Sequence, residues 1–202
     1  MPVFSYYTIQ HAVTGTFKEK GSKFLAFAYP VNSELEIKEK LADLRKKYFD
    51  ARHHCYAWVL GPGKKLFRAF DDGEPNHSAG DPILGQIRSK NLANVLLVVV
   101  RYFGGVKLGV GGLISAYKNA AADALSRASI LEKDVTEKVM LRYDYAATPE
   151  VMRMIKELNL VILSQKFDDY CELEIQVNLR DAEKLMEKLS FLQAIGIAIR
   201  YS

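Results

Sequence analysis

The chain has 202 residues, of which 49% are hydrophobic, 11% aromatic and 26% charged. This composition is typical of a folded globular protein and excludes a disordered or low-complexity chain. The two cysteines, Cys55 and Cys171, lie far apart and form no C-x-x-C pair, which excludes a disulfide scaffold and a cysteine-rich zinc module. The longest apolar run covers residues 95–100, and the first ten residues lack the features of a signal peptide. The sequence therefore predicts a cytoplasmic protein without a membrane-spanning segment.

Positive charge is concentrated in the first two thirds of the chain. Residues 1–134 carry 19 Lys and Arg against 13 Asp and Glu, whereas residues 135–202 carry 9 against 11. Twelve of the 13 glycines precede Leu113. These changes predict two domains, residues 1–134 and 135–202, and the basic first domain is compatible with an anionic partner such as nucleic acid.

The first domain is predicted to begin with strands at residues 6–10, 14–18 and 24–31. A helix follows at residues 33–48, where Ser33 and Glu36 have the spacing of a capping box. Strands at residues 54–60 and 66–70 precede an acidic turn and a short helix, for which Asp81 is the expected N-cap and Pro82 the first residue. A buried strand at 95–102, a loop at 104–112 and an alanine-rich helix at 113–128 complete the domain.

The second domain is predicted to contain two helices among four strands. The strands are expected at residues 138–145, 161–167, 171–179 and 195–201. One helix is expected to have Thr148 as its N-cap and Pro149 as its first residue, and the other covers residues 181–192. Glu172, Glu174 and Gln176 alternate with apolar residues, as in a half-buried strand. The order βαββαβ is the ferredoxin-like motif.

Five glycines between the buried strand and the alanine-rich helix are the sharpest feature of the sequence. Such a turn exposes backbone amides at the positive end of a helix dipole, and this geometry binds anions. Lys107 and Lys118 could add positive charge. The glycine spacing matches neither the Walker A loop nor the dinucleotide fingerprint. The alternative is that these glycines are present only because glycine can adopt positive φ angles and lets the helix pack closely against the strand.

Two histidines and a cysteine stand at the entrance of the fourth predicted strand. Alternation places His53 with Cys55 on one face of the strand and His54 on the other. Two ligands on one face fall short of a zinc site, so we predict no metal site. A hydrogen-bonded histidine is one alternative. The other is a surface that stacks bases and contacts phosphates, formed by Arg52, His54, Tyr56 and Trp58.

Three carboxylates, Asp71, Asp72 and Glu74, lie within four residues of one another. They could bind a divalent metal or perform acid–base chemistry, although Asp-Gly and Glu-Pro are strong turn formers and an exposed acidic turn is the default. Arg101 lies near the end of the strand at residues 95–102, whose other residues are predicted to be buried. It could contact a ligand, or pair with Asp71, Asp72 or Asp81.

Four motifs, in this order along the chain, resemble the IMPACT/YigZ family. They are GSKF at residues 21–24, ARHHCYAW at 51–58, DDGEP at 71–75 with Ala79 and Gly80, and VVVRYFGG at 98–105 with Leu108, Gly109 and GGL at 111–113. Residues beyond 135 resemble the C-terminal domain of the bacterial members. The resemblance implies an α+β protein with two domains. The N-terminal βαβ domain would be similar to the second domain of a small-subunit ribosomal protein and to domain IV of elongation factor G. The ferredoxin-like second domain would be similar to the last domain of elongation factor G.

The resemblance also carries functional expectations. Eukaryotic relatives regulate translation through the amino-acid-starvation kinase pathway, using an additional N-terminal domain, and bacterial members are regarded as nucleic-acid- or ribosome-binding proteins. We therefore expect a non-enzymatic RNA- or ribosome-binding protein with a regulatory role in translation, without a catalytic residue, cofactor or metal. The candidate nucleic-acid- or anion-binding residues are Lys23, Arg52, His54, Arg101, Lys107, Gly109, Gly111, Gly112 and Lys118.

Two other functions stay open at the level of the sequence. One is a module that binds a protein partner through the second domain. The other is a phosphate-ligand binder or enzyme, in which the glycine-rich loop holds the phosphate and the carboxylates of Asp71, Asp72 and Glu74 hold magnesium.

Overall fold

A computed structural model describes residues 2–202 of the chain and shows a mixed α+β protein. It consists of two compact units. One is Ser5–Lys133, and the other combines residues 2–4 with Asp134–Ser202. Among residues 2–202, no helix has the length and apolar character that a membrane span requires.

The first unit is built on a five-stranded antiparallel sheet. Its elements are β1 (Ser5–Ile9), β2 (Val13–Glu19), β3 (Ser22–Pro30), α1 (Glu34–Lys47), β4 (His53–Leu60), β5 (Leu66–Phe70), α2 (Gly80–Ser89), β6 (Val95–Tyr102), α3 (Gly109–Ser126) and β7 (Ile130–Asp134). The strand order in the sheet is β2-β3-β6-β4-β5, and β1 pairs separately with β7. Every neighbouring pair in the five-stranded sheet is antiparallel.

Helices cover both faces of this sheet. Val95, Leu97 and Val99 of the central strand β6 pack in the cluster that contains α2 and α3. The alternate residues of β6 pack in a second cluster with Ile37 and Leu44 of α1. Burial on both sides explains why the sequence of β6 is continuously apolar rather than alternating.

The second unit contains a four-stranded antiparallel sheet. Its elements are β8 (Thr136–Tyr143), α4 (Thr148–Glu157), β9 (Val161–Phe167), β10 (Cys171–Asn178), α5 (Ala182–Ala194) and β11 (Ile199–Tyr201). These elements follow one another in the βαββαβ order predicted from the sequence, and the order of the strands in the sheet is β11-β8-β10-β9. Leu173, Ile175 and Val177 of β10 are buried in the core, and the intervening polar residues lie on the other face, as their alternation predicts.

Several boundaries differ from the predictions. Helix α3 begins at Gly109, so the predicted loop at 104–112 was too long and the last glycines form the first turn of the helix. Helix α2 begins at Gly80, whose amide donates to the carboxylate of Asp71 instead of Asp81. Helix α4 begins at Thr148 itself, so Thr148 is not its N-cap. Strand β11 is shorter than predicted, because α5 extends to Ala194 and the turn after it contains Gly196 in a left-handed conformation with φ 86°. The pairing of β1 with β7 was not predicted from the short, mostly polar sequence of β7.

Candidate anion-binding site

The glycines between β6 and α3 differ in what the backbone demands of them. A Cβ on Gly104 would lie 1.9 Å from the carbonyl carbon of Gly21, so two backbone segments meet there without room for a side chain. Gly105 and Gly109 have φ angles of 87° and 69°, which disfavour any other residue. Gly111 is different, because it has no positive φ and a Cβ there would meet open space. Packing and backbone conformation therefore explain Gly104, Gly105 and Gly109 but not Gly111.

The acidic segment after β5 is a tight turn tied into the fold. Asp72 and Gly73 have φ angles of 43° and 84°, and the amide of Glu74 donates to the carbonyl of Asp71 at 2.9 Å, as in a type I′ turn. The carboxylate of Asp71 accepts hydrogen bonds from the amides of His77, Ala79 and Gly80 at 2.8–2.9 Å. Both Asp71 carboxylate oxygens are therefore engaged in starting helix α2.

Asp72 is bound to the strand beside the turn. Its carboxylate accepts from the amide of His54 at 2.7 Å, and its carbonyl lies 2.8 Å from Nδ1 of His53. Arg45 approaches the other carboxylate oxygen at 3.4 Å. Within residues 2–202, no three His, Cys, Asp or Glu side chains are grouped as metal ligands. The expectation of an exposed acidic turn was wrong, and the geometry does not support a magnesium-holding role for these carboxylates.

Glu74 is the most deeply buried member of the turn. Its Oε1 accepts from the guanidinium of Arg101 at 2.6 Å and from the hydroxyl of Tyr117 at 2.8 Å. The side chains of Glu74 and Arg101 are 4% and 7% exposed. Arg101 therefore has Glu74 as its partner rather than the three aspartates named from the sequence, two of which are engaged elsewhere in the turn. Removing one member of such a buried pair leaves an uncompensated charge.

The hydrogen-bonded network extends to a buried thiol. Cys55 Sγ donates to the hydroxyl of Tyr117 at 3.3 Å and lies 3.0 Å from the carbonyl of Asp71. Burial raises the pKa of the Cys55 thiol far above its usual value. Burial likewise raises the pKa of Tyr117. A thiol held protonated in this way is not an activated nucleophile.

A pocket of about 270 Å³ opens beside this network at the N-terminus of α3. It is lined by Glu74, Pro75, Arg101, Phe103, Lys107, Leu108, Gly109, Val110 and Leu113. The Arg101 guanidinium lies 5.5 Å from the ring centre of Phe24 and 5.7 Å from that of Phe103. Its Nε is buried without a hydrogen-bond partner within residues 2–202. Positive charge and the first turn of a helix thus meet at one opening.

The predicted residues around this pocket are only partly gathered together. Arg101, Lys107 and Gly109 line it, while Gly111 and Gly112 belong to the same helical turn. Lys118 lies two helical turns beyond Val110, with Ile114 between them at the spacing of one exposed ridge. Lys107 and Lys118 are both exposed, and neither forms a salt bridge within the described residues.

The expected stacking surface on β4 is not available. Tyr56 and Trp58 are 7% and 6% exposed because α1 covers their face of the sheet. His54 is also buried, and its burial lowers its pKa despite the opposing influence of Asp72. The placement of His54 among nucleic-acid-contacting residues therefore disagrees with the structure, since its side chain does not reach the surface.

Two predicted cations lie apart from the pocket. Lys23 is exposed on β3, opposite Tyr102 of β6, and alternation with Phe24 directs it to the α1 face of the sheet. Arg52 is exposed immediately before β4. Sequence reasoning also missed Tyr117 and Phe103. The sequence could have indicated Tyr117, because it is the one tyrosine among the buried alanines of α3 and a buried hydroxyl requires a hydrogen-bond partner.

The whole chain has relatives of similar length. The family model of the Impact N-terminal domain matches residues 20–125. The IMPACT family member YvyE of Bacillus subtilis is 29% identical over 188 residues, which cover 93% of this chain and 87% of the relative. An IMPACT family member of Haemophilus influenzae is 32% identical over 190 residues, covering 92% and 89%. A crystal structure described as a hypothetical protein has a TM-score of 0.78 and 26% identity, covering 98% of this chain and 97% of that one.

The region that the family model matches contains the functional geometry described above. It includes the four motifs between residues 21 and 113, the acidic turn, and every residue that lines the pocket beside α3. The bacterial relatives extend the similarity over the second unit as well. The chain therefore belongs to the IMPACT family.

Proposed function

We propose that this protein binds RNA, free or within the ribosome, and thereby regulates translation. The observation that carries the proposal is the exposed Lys107 at the mouth of a pocket that Arg101 also lines, with the exposed Lys118 further along α3. Membership of the IMPACT family supports the regulatory part, because the family resemblance implies translational control. The proposed similarity of both units to domains of elongation factor G adds a fold-level analogy.

The residues around the pocket suit contact with a phosphodiester backbone. Lys107 and Lys118 supply mobile positive charges that neutralise phosphates without reading sequence. The first turn of α3 adds backbone amides at the positive end of the helix dipole, and its N-cap position, Leu108, offers no side-chain acceptor for them. Arg101 is fixed by Glu74 and is largely buried, so its proposed role is to shape the pocket. Lys23 and Arg52 would make separate contacts.

The test is binding to labelled total RNA and to purified ribosomes across a salt series. Affinity should fall as salt rises, with a slope of about 0.7 per phosphate contact on single-stranded RNA. The double variant Lys107→Gln/Lys118→Gln should reduce that slope by about 1.4, the value for two lost contacts. Because such contacts carry no sequence information, the loss should be the same for all RNA sequences.

A matched control removes the same charge from another face of the same unit. Lys38 and Lys46 are exposed on α1, and Lys38→Gln/Lys46→Gln should leave the salt slope unchanged. Equal effects of the two double variants would show non-specific attraction to a basic protein. No binding of the wild-type protein to RNA or ribosomes at about 50 mM salt would overturn the proposal, because phosphate contacts are strongest there.

A protein partner of the second unit is the alternative that an observation favours. Strand β9 is an edge of its sheet, and Val161, Leu163 and Phe167 along it are exposed. Exposed apolar edge strands are templates for the addition of another strand. Leu163→Lys would abolish capture of such a partner by the full chain, whereas it would leave RNA binding unchanged.

A further inference from the structure

Two long segments of the first unit contain no acidic residue. No Asp or Glu occurs between Asp50 and Asp71, or between Asp81 and Asp123, and these segments carry nine Lys and Arg. They fold into β4 and β5 and into most of α2, β6 and α3. Basic surface is therefore expected at two places, the pocket beside α3 and the edge strand β5.

Strand β5 forms one edge of the five-stranded sheet, since only β4 pairs with it. Its apolar side chains are unusually open to solvent: Leu66 is 51% exposed, Phe67 47% and Phe70 36%. Edge strands commonly carry charged residues that prevent aggregation. That protective role explains lysines and arginines at this edge but does not explain two exposed phenylalanines.

Each exposed phenylalanine of β5 is stacked with an arginine. The Arg88 guanidinium of α2 lies 4.4 Å from the ring centre of Phe67, and that of Arg68 lies 5.8 Å from the ring centre of Phe70. Phe67 is opposite Val59, and Phe70 is opposite Tyr56. Because Val59 and Tyr56 belong to clusters on opposite faces of the sheet, the edge presents one cation–aromatic pair on each face.

The charge along this edge is uniformly positive. Lys65, Arg68, Arg88 and Lys90 are exposed, and none of them forms a salt bridge within residues 2–202. Lys64 is instead engaged with the carbonyl of Asn91 at 2.6 Å. This edge therefore favours a partner that carries negative charge and planar groups able to stack on the phenylalanine and arginine side chains.

We propose that the β5 edge binds single-stranded RNA, with bases stacked on Phe67 and Arg88 and phosphates near Lys65 and Lys90. The proposal rests on the RNA-binding function proposed above and adds a second contact surface to it. Aromatic rings and guanidinium planes stack bases only when those bases are free of a duplex. An extended acidic peptide satisfies the charge but makes no use of the two stacked pairs.

A short acidic turn separates this surface from the pocket beside α3. The strand ends at Phe70, and the turn that follows leads within four residues to Glu74 at the pocket wall. Five residues of strand span about 17 Å, a length that accommodates a few nucleotides. Because the intervening turn carries Asp71 and Asp72, the β5 surface is proposed to bind these few nucleotides on its own.

The test measures binding of the full chain to a fluorescein-labelled 12-nucleotide RNA, as a single strand and as a duplex. Phe67→Ala should weaken single-strand binding about tenfold, as expected for the loss of one base stack, and leave duplex binding unchanged. Arg88→Gln should weaken it in the same way and also reduce the salt slope. Phe49→Ala is the matched control, because Phe49 is a more exposed phenylalanine of the same unit outside this edge.

A second readout does not depend on affinity. In Phe67→Trp the introduced indole should support RNA binding, and its fluorescence should be quenched as bases stack on it. Trp58, the single natural tryptophan, is buried and provides a constant background. Melting temperatures of all variants show whether any has lost its fold.

The outcomes separate this inference from the proposed function. Tenfold weakening in Phe67→Ala with quenching in Phe67→Trp supports it. Normal RNA affinity in folded Phe67→Ala, or no quenching on saturation, overturns the β5 surface and leaves the proposed function standing. Quenching by an acidic decapeptide but not by RNA assigns the edge to a peptide instead. Absence of RNA binding by the wild-type chain overturns both proposals.

Discussion

Arg101 and Glu74 form a buried ion pair that joins the end of the central strand to the turn after β5, with 2.6 Å between Nη1 and Oε1. Glu74→Gln leaves the guanidinium buried without a counter-charge and should cost about 3 kcal/mol or more in the free energy of unfolding. Urea denaturation measures this loss. The control is Arg45→Gln, which removes an exposed pair with Asp72 and should cost less than about 1 kcal/mol. Equal costs for both variants would contradict the structural importance of the buried pair.

Two glycines of the same segment should respond to alanine in opposite ways. Gly104→Ala places a Cβ against the backbone of Gly21 and Ser22, so we expect severe destabilisation, about 3 kcal/mol or more. Gly111→Ala meets open space on a helix and should stabilise the protein by about 0.5–1 kcal/mol. Thermal or urea unfolding distinguishes them, and destabilisation by Gly111→Ala would contradict the observed geometry.

His54 should make stability depend on pH on the acidic side of neutrality. Its burial lowers its pKa below the usual 6.5, so the folded protein takes up the proton less readily than the unfolded chain. The stabilising contribution of neutral His54 is thus fully present above about pH 6.5 and is lost as the pH falls below that value. His54→Gln should show a smaller decrease in unfolding free energy between pH 7.5 and 5. The same decrease in both proteins would contradict this assignment.

Neither cysteine should react with a thiol reagent in the native protein. Cys55 and Cys171 are fully buried, so neither is accessible to the reagent, and burial also raises the pKa of Cys55, which keeps its thiol protonated. Dithiobis(nitrobenzoate) at pH 8 should report no thiol until guanidinium unfolds the chain, when it should report two. Rapid labelling of native Cys171→Ser would show that Cys55 is reachable and reactive.

Sequence patterns predicted the elements that depend on local chemistry. The bounds of β6 were predicted correctly because a continuous apolar run rich in valine is typical of a strand buried on both faces. The capping box was also confirmed, since the amide of Glu36 donates to Oγ of Ser33 at 3.2 Å. Alternation correctly divided His53 from His54 between the two faces of β4. It could not show that α1 covers the face of His54, because that depends on tertiary packing.

The candidate site depended more strongly on contacts between distant residues. The sequence showed that an arginine ends a strand predicted to be buried, and it offered several carboxylates as possible partners. Glu74 emerged as the partner of Arg101 only because Asp71 caps α2 and Asp72 binds the amide of His54. Tyr117, 43 residues beyond Glu74, enters the same network through the packing of α3. Tertiary packing therefore determines which of several chemically similar carboxylates pairs with Arg101.

The guanidinium of Arg101 is immobilised before any ligand arrives, because Glu74 holds it and the rings of Phe24 and Phe103 flank it. A free arginine side chain gives up about 2 kcal/mol of rotamer entropy when it is ordered. Because Arg101 is already ordered in the folded protein, this entropy is lost during folding and not during ligand binding. A ligand at the pocket would therefore meet a rigid wall already ordered around Arg101, while the entropy lost on association would come from Lys107 and from the ligand itself.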